Sequence, residues 1–383
     1  MSYNTAIMRI LISLTYYSPN VSGLTTYVET LARELTKKGH EITIVASQHE
    51  KYLPKEEVVG GIRIIRIPVT IQIGKGPLMF SLPFRMLKWI IWADVVNCHL
   101  PQFESSMITI MAKIFEKKVV LTHHTDLSGW KGIFNVISET AVFCSQIIAG
   151  TLADSITVYT KDYAQHSSYL KRFVRKLVFI YPPIRINSID HEFGRQLKEK
   201  IGKTSYVIGF SGRIARQKGL RYLFETIPFI EKNIKNFKIV LAGPYKEVIG
   251  ENFMEDLNVY ISKYKSKIIF LGSISYKKMS AFYSVLDILV LPSDDRLESL
   301  GLVQIEAMLA GCPVVATNLP GVRIPIKKTK MGLLVEAKSV KGLARAIIEI
   351  LSYKNKYFIS SEKIQAIFNY KKTIDIYEKV FSS

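Results

Sequence analysis

Apolar residues in this chain fall in short unbroken runs, each followed by a breaker-rich loop and then a stretch with helical spacing. Residues 8–14 read as a buried parallel strand, and a loop over residues 15–23 follows it. An amphipathic helix from about Leu24 to Lys38 closes at Gly39, and residues 41–46 form the next strand. Residues 61–68 alternate apolar and basic, the pattern of an edge strand. Residues 78–92 are apolar with Arg85 and Lys88 set among them, which suits a core helix or a helix lying on a membrane interface. The strand at residues 93–99 follows at once and favours the core. A helix over residues 103–115 leads to a strand at 118–122, which runs into His123-His124-Thr125-Asp126. Residues 130–150 read as a long apolar helix or helix pair. Strands at 153–160 and 177–180 end at Tyr181-Pro182-Pro183, and the charged stretch 190–203 makes this the natural domain boundary.

The second half repeats the alternation. A strand at 206–211 enters the loop Gly212-Arg213-Ile214-Ala215-Arg216-Gln217-Lys218-Gly219, and another at 237–242 ends at Gly243-Pro244. The strand at 268–271 closes in the turn Gly272-Ser273-Ile274, followed by a helix over 275–283. The run 287–291 then stops at Pro292-Ser293. A helix fits residues 302–310, with Gly311 as its C′ residue, before a strand at 312–317. Residues 357–383 are helical, and the amphipathic 370–381 can pack back across the junction. Alternating β and α in both halves predicts an α/β chain of two Rossmann-like domains.

Composition sharpens this picture in three ways. At 383 residues, 48% hydrophobic and 22% charged, the chain is long enough for two cores. The net charge of +20 is spread evenly, with 21 cations against 13 anions in residues 1–185 and 31 against 19 in residues 186–383. That spread excludes a dedicated nucleic-acid tail and fits anionic membrane surfaces, phosphorylated substrates or simply a solvated basic surface. Cys98, Cys144 and Cys312 lie far apart in apolar runs and read as buried free thiols in a reducing compartment. Residues 1–14 lack a signal-peptide layout, and no run of 18 apolar residues occurs, so the expectation is a cytoplasmic protein or a peripheral one at the cytosolic membrane face.

The chemistry gathers at strand ends. Glu298 falls in the turn after a strand, and Glu306 lies eight residues on in the following helix. Backbone N–H groups near Gly301 and Leu302 point at the same mouth, ready for an anion. Two carboxylates bracketing a helix N-terminus suit a ligand with hydroxyls at both ends and a phosphate between, the layout of a nucleotide sugar. Two solvated glutamates are the bland alternative. Arg213 and Lys218 share one loop and suit a diphosphate, Arg213 as a bidentate fork and Lys218 as a point charge. Gly23 allows close approach of a phosphate at the first loop. The His123-His124 pair lacks a completing acidic or cysteine set for a metal. One imidazole at that strand end can serve a phosphate or sugar hydroxyl, or be satisfied structurally by the backbone.

These residues, in this order, resemble the retaining glycosyltransferases of family GT4, over nearly the whole length. The likeness rests on Glu298-x7-Glu306, Gly212-Arg213 with Lys218-Gly219, the run from Glu306 through Gly311 to Val315, and Leu31-Ala32 with Gly39-His40-Glu41-Ile42. The resemblance implies a GT-B fold, two Rossmann-like domains facing each other across a deep cleft. Residues 1–185 would bind acceptor, with the helix 365–383 packing back on them, and residues 186–364 would bind the nucleotide sugar. It implies that Glu298 meets the donor sugar, Glu306 the ribose, and Arg213 and Lys218 the diphosphate, and that His124 lies beside the reacting carbon. The catalytic set is then His124, Arg213, Lys218 and Glu298. The donor set is Gly23, Arg213, Lys218, Gly272, Ile274, Glu298, Gly301, Leu302 and Glu306. The family works without a bound metal, so Asp294-Asp295 is not read as a metal pair and no cofactor is expected. The usual double glycine of the first loop is Ser22-Gly23 here, and Leu300 replaces an aromatic. The expected partners are a UDP-, GDP- or ADP-sugar and a glycan or lipid-linked acceptor, with peripheral association with an anionic membrane and no nucleic acid. A sugar-nucleotide epimerase on the same scaffold, or a non-catalytic nucleotide-sugar-binding partner subunit, are the alternative readings.

Overall fold

The computed structural model describes the backbone of residues 6–20, 22–73, 76–127, 133–245 and 253–383. The chain divides into two compact units, residues 1–183 with 370–383, and residues 184–369. The first unit holds strands β1 (Arg9–Ser13), β2 (Glu41–Gln48), β3 (Glu56–Val59), β4 (Ile62–Pro68), β5 (Ile71–Ile73), β6 (Gly76–Leu78), β7 (Val95–Leu100), β8 (Lys118–His123), β9 (Ser155–Val158) and β10 (Leu177–Phe179). Eight of them form one sheet in the order β10-β9-β8-β7-β1-β2-β4-β3, while β5 and β6 pair as a small hairpin. All pairs in the large sheet are parallel except β3 with β4. A parallel sheet is covered on both faces, and β1, β7 and β8 accordingly bury almost every residue.

The second unit holds β11 (Tyr206–Ser211), β12 (Phe237–Ala242), β13 (Ile268–Gly272), β14 (Ile288–Leu291), β15 (Val314–Thr317) and β16 (Gly332–Val335). They form a six-stranded parallel sheet ordered β13-β12-β11-β14-β15-β16. The strand order reverses between β11 and β14, so loops leaving the carboxyl ends of these two neighbours diverge and leave a crevice. Open α/β sheets bind ligands at such a switch point. In the first unit the same reversal lies between β1 and β7.

Helix signals act as the pattern predicts. The first helix, Gly23–Lys37, is capped by Ser22, whose hydroxyl accepts from Thr25 N at 3.1 Å, and it ends before Gly39 at φ 94°. The helix after β14 runs Leu302–Leu309 with Gly311 at φ 81°.

Four readings change. The basic–apolar strand 61–68 is β4, which is not the edge; β3 pairs beyond it. Its second arginine, Arg66, is buried and bound to Glu57 Oε1 and to the carbonyls of Pro54 and Ser18, so only Arg63 faces water. The charged stretch 190–203 is the helix His191–Ile201 of the second unit, capped by Asp190 and burying Gly194, Leu197 and Ile201. The apolar stretch from residue 78 begins its helix only at Leu82, with Pro83 in the first turn. Cys98 and Cys312 are buried, but Cys144 is exposed on the outer side of the helix Ile133–Leu152. An apolar run on a helix covers its whole circumference, and only one side of this one meets the sheet.

Candidate functional site

Three glycines line the carboxyl ends of β13, β12 and β11. Gly272, Gly243 and Gly212 take φ of 77°, 144° and 137°. Gly243 N donates to Gly272 O at 2.8 Å, and Gly212 N donates to Ala242 O at 2.9 Å. A Cβ on Gly243 would sit 2.0 Å from the Gly212 carbonyl oxygen, so only glycine lets these ends pack. Gly272 closes an edge strand two places from β11, with Ile274 half-buried just beyond it.

From Gly212 the chain crosses to β14's loop. Gly219 is left-handed at φ 65° and its Cα lies against the Pro292 carbonyl, while Asp294 N donates to Gln217 O at 3.3 Å. The two loops of the switch point are thereby joined, and they bring Lys218 Nζ onto Glu298 Oε2 in an ion pair about four-fifths buried. Arg213 is exposed and pairs with no described carboxylate.

Glu306 comes from the helix Leu302–Leu309. Its Oε2 accepts from the Tyr283 hydroxyl at 2.7 Å, and that hydroxyl also contacts Ser211 Oγ at 3.2 Å. Burial pushes the Glu306 carboxyl above its ordinary range, with the tyrosine bond holding it down in part. The helix opens at Gly301, φ 72°, without a side-chain cap, so the first amides after Gly301 keep their donors. Gln304 Nε2 donates to Leu300 O and Val322 O, both at 2.9 Å, and fixes the turn between the two glutamates. The structure therefore gathers Arg213, Lys218, Glu298, Gly301, Leu302 and Glu306 around one strand reversal in the second unit.

Gly23 and His124 belong to the first unit. Gly23 is exposed at the start of the first helix. His124 follows β8 and is buried, as is His123. The two rings point to opposite sides, His123 stacking on Tyr169 and His124 on His99. Proton positions around His124 can be deduced. Asn97 Nδ2 donates to Val120 O at 2.9 Å, so Asn97 Oδ1 faces His99 and accepts from its Nε2–H at 2.8 Å. Burial pushes the His99 imidazole down to about 3, so the ring is neutral and its Nδ1 is bare. That nitrogen accepts from His124 Nε2–H at 2.8 Å. Burial and the neighbouring histidines hold His124 neutral as well, so its Nδ1 accepts from the Tyr159 hydroxyl. Every ring nitrogen of His124 is thus committed inside the fold. In a pH titration by ring 15N NMR, both histidines should stay neutral Nε2–H tautomers from pH 8 down to about 5, where a free imidazole has already protonated. A ring that gains a second proton near pH 6.5 would overturn the assignment.

Sequence reasoning did not single out Tyr283, Gln304, Gly243, Asn97, His99 or Glu104. The first two lie inside apolar helical runs, where a polar tip looks like part of the core pattern. Glu104 follows β7 at the first unit's strand reversal; burial pushes its carboxyl up to about 7, against the opposing pull of its own and Met79's backbone N–H groups. It is a titratable group in a place where such sheets hold ligands.

A family model described as Glycosyltransferase Family 4 matches residues 21–188, and one described as Glycosyl transferases group 1 matches residues 195–365. An uncharacterized glycosyltransferase of Methanocaldococcus jannaschii is 25% identical, covering 97% of this chain and 98% of its own. A GDP-mannose-dependent alpha-(1-6)-phosphatidylinositol monomannoside mannosyltransferase of Mycobacterium tuberculosis is 23% identical, covering 90% and 89%. Among solved structures, the Anabaena HepE protein in complex with UDP and glucose superposes with a TM-score of 0.78 at 16% identity, covering 98% and 99%. A sucrose-phosphate synthase from Thermosynechococcus elongatus gives 0.74 at 19%, covering 98% and 99%. With one model on each half and relatives spanning nearly the full length, this chain belongs to the GT4-type glycosyltransferases and has their GT-B fold.

Proposed function

We propose that the protein transfers a hexose, with retention at the anomeric carbon, from a nucleoside diphosphate sugar to a glycan or lipid-linked acceptor reached at the cytosolic membrane face. The observation that carries this is the cluster at the β11–β14 reversal, with an exposed Arg213 that pairs with no described carboxylate, the Lys218–Glu298 pair and the buried Glu306 beside an uncapped helix start. Glu306 accepts from the ribose hydroxyls, Glu298 from the sugar, and Arg213, Lys218 and the amides after Gly301 hold the diphosphate. No metal is invoked, because the two cations meet the charge that develops on the β-phosphate. The bond from the anomeric carbon to the phosphate oxygen breaks as the acceptor oxygen attacks from the same face, and its proton passes to the leaving phosphate. The relatives' names support a nucleotide-sugar donor, with GDP-mannose named for one and UDP with glucose, or ADP, for solved neighbours.

A thermal-shift screen against UDP, GDP, ADP and TDP tests the donor half of this reading. A nucleotide at roughly 100 times its dissociation constant should add about 2.7 kcal/mol of stability. One clear rise names the donor class, and a flat response to all four removes Glu306 and the Arg213 loop from the donor role.

A further inference from the structure

The helices Leu82–Trp92, Ser105–Ile114 and Ile133–Leu152 lead from β4 to β7, from β7 to β8 and from β8 to β9, and lie side by side on one face of the first unit's sheet. Their inner sides supply Leu82, Met86, Trp89, Ile108, Ala112 and Ala149 to the core. Their outer sides are apolar too. Phe84, Leu87 and Ile91 are spaced three and four apart, with Phe84 84% exposed. Ile110 and Ile114 make one stripe on the next helix, and Ile137 and Ile148 make another, Ile114 being 69% exposed. The segment Leu170–Lys176 borders the third helix, with the Arg172 guanidinium 5.9 Å from the Phe143 ring and Lys176 Nζ on the carbonyls of Gly150 and Ala153. It adds an exposed Val174 between cations.

Charge on this face is one-sided. The four segments hold seven cations (Arg85, Lys88, Lys113, Lys171, Arg172, Arg175 and Lys176) and one carboxylate, Glu139; Asp154, just past the third helix, pairs with Lys113 and leaves six cations against that one acid. The helix on the opposite face of the sheet, Gly23–Lys37, differs in both respects. It exposes no large apolar side chain and balances Glu29 and Glu34 against Arg33 and Lys37. Exposed apolar stripes interleaved with cations and almost free of acids fit an anionic lipid surface, which accepts apolar side chains at the headgroup level and holds the cations at its phosphates. A protein partner would have to supply both a large apolar patch and an excess of acid. No described helix is long and apolar enough to cross a membrane, so the contact is interfacial.

We infer that this three-helix face docks the protein flat on an anionic bilayer. The inference rests on the proposed lipid-linked acceptor only for its purpose; its test reads binding and not transfer. The probe is vesicles of phosphatidylcholine, with and without about one third phosphatidylglycerol. Cys144 is the exposed thiol on the third helix, while Cys98 and Cys312 are buried, so a polarity-sensitive dye placed there reports docking directly. The protein should sediment with anionic vesicles and not with neutral ones, with a blue shift of the dye. Lys171→Glu with Arg172→Glu should weaken binding roughly tenfold or more, and Phe84→Glu with Ile91→Glu should remove the blue shift. The equal charge reversal Arg33→Glu with Lys37→Glu on the opposite helix should leave affinity for the anionic vesicles within about twofold. Far-ultraviolet circular dichroism and the nucleotide thermal shift confirm that each variant is folded and keeps its donor site. Failure to bind anionic vesicles, a dye that does not respond on binding, or equal weakening by the opposite-face reversal would overturn the inference. So would a self-association that Phe84→Glu abolishes, which would make a second copy the occupant. In each of these cases an intact nucleotide shift leaves the transfer reading standing.

Discussion

Arg213→Ala should lower kcat by about 10²–10³ while changing nucleotide affinity far less. A donor aimed at charge that develops in the transition state contributes mainly there, and loss of one such group costs this much in other active sites. The substitution is clean for a structural reason. Arg213 is exposed and bonded to no described carboxylate, so its removal leaves no buried partner unsatisfied and should shift stability by no more than about 0.5 kcal/mol. Lys218→Ala is a poorer probe, since it strands Glu298 in a mostly buried position and mixes a stability loss with a catalytic one. Steady-state turnover with separate kcat and KM decides the matter. A near-normal kcat would remove Arg213 from the catalytic set. A raised KM at unchanged kcat would make it a residue that holds substrate and transition state equally.

How much of this was legible in the sequence depends on what kind of information each feature needs. Strand and helix identities follow from period and punctuation, as the helix Leu302–Leu309 ahead of Gly311 shows. The strand reversal that brings Lys218 to Glu298 is a matter of sheet order, and no local pattern encodes it; the family resemblance supplied that link. Short strands were hard to see. β3 carries Glu56-Glu57-Val58-Val59, which does not alternate because neither of its sides is buried. β16 has only four residues between two charged stretches. The role of Tyr283 was invisible because its ring is core while only its hydroxyl reaches Glu306. His124 is the sharpest case. Its position after a strand left two roles open, an imidazole serving a substrate oxygen and one satisfied within the fold, while its protonation pattern is set by Asn97 and His99 from the neighbouring β7, 25 or more residues away in sequence.

Gly219→Ala should destabilise the second unit by roughly 3 kcal/mol or more and abolish the nucleotide thermal shift. The added Cβ would lie 2.0 Å from the Pro292 carbonyl oxygen, a backbone atom that no rotamer change can move aside. It would also hold an alanine at φ 65°, which costs about 1–2 kcal/mol by itself. Relief requires the Arg213–Lys218 loop to lift away from the loop after β14, which separates Lys218 from Glu298 and dismantles the donor cluster. Gly311→Ala is the matched control. Gly311 has a similar φ of 81°, but its nearest neighbour is Phe358 Cε2 at an ordinary 3.6 Å. That variant should show only the left-handed strain and keep the nucleotide shift. Urea unfolding of both variants separates conformational strain from close approach. If both lose the same stability and both still bind nucleotide, the packing of the two loops at Gly219 is not what assembles the site.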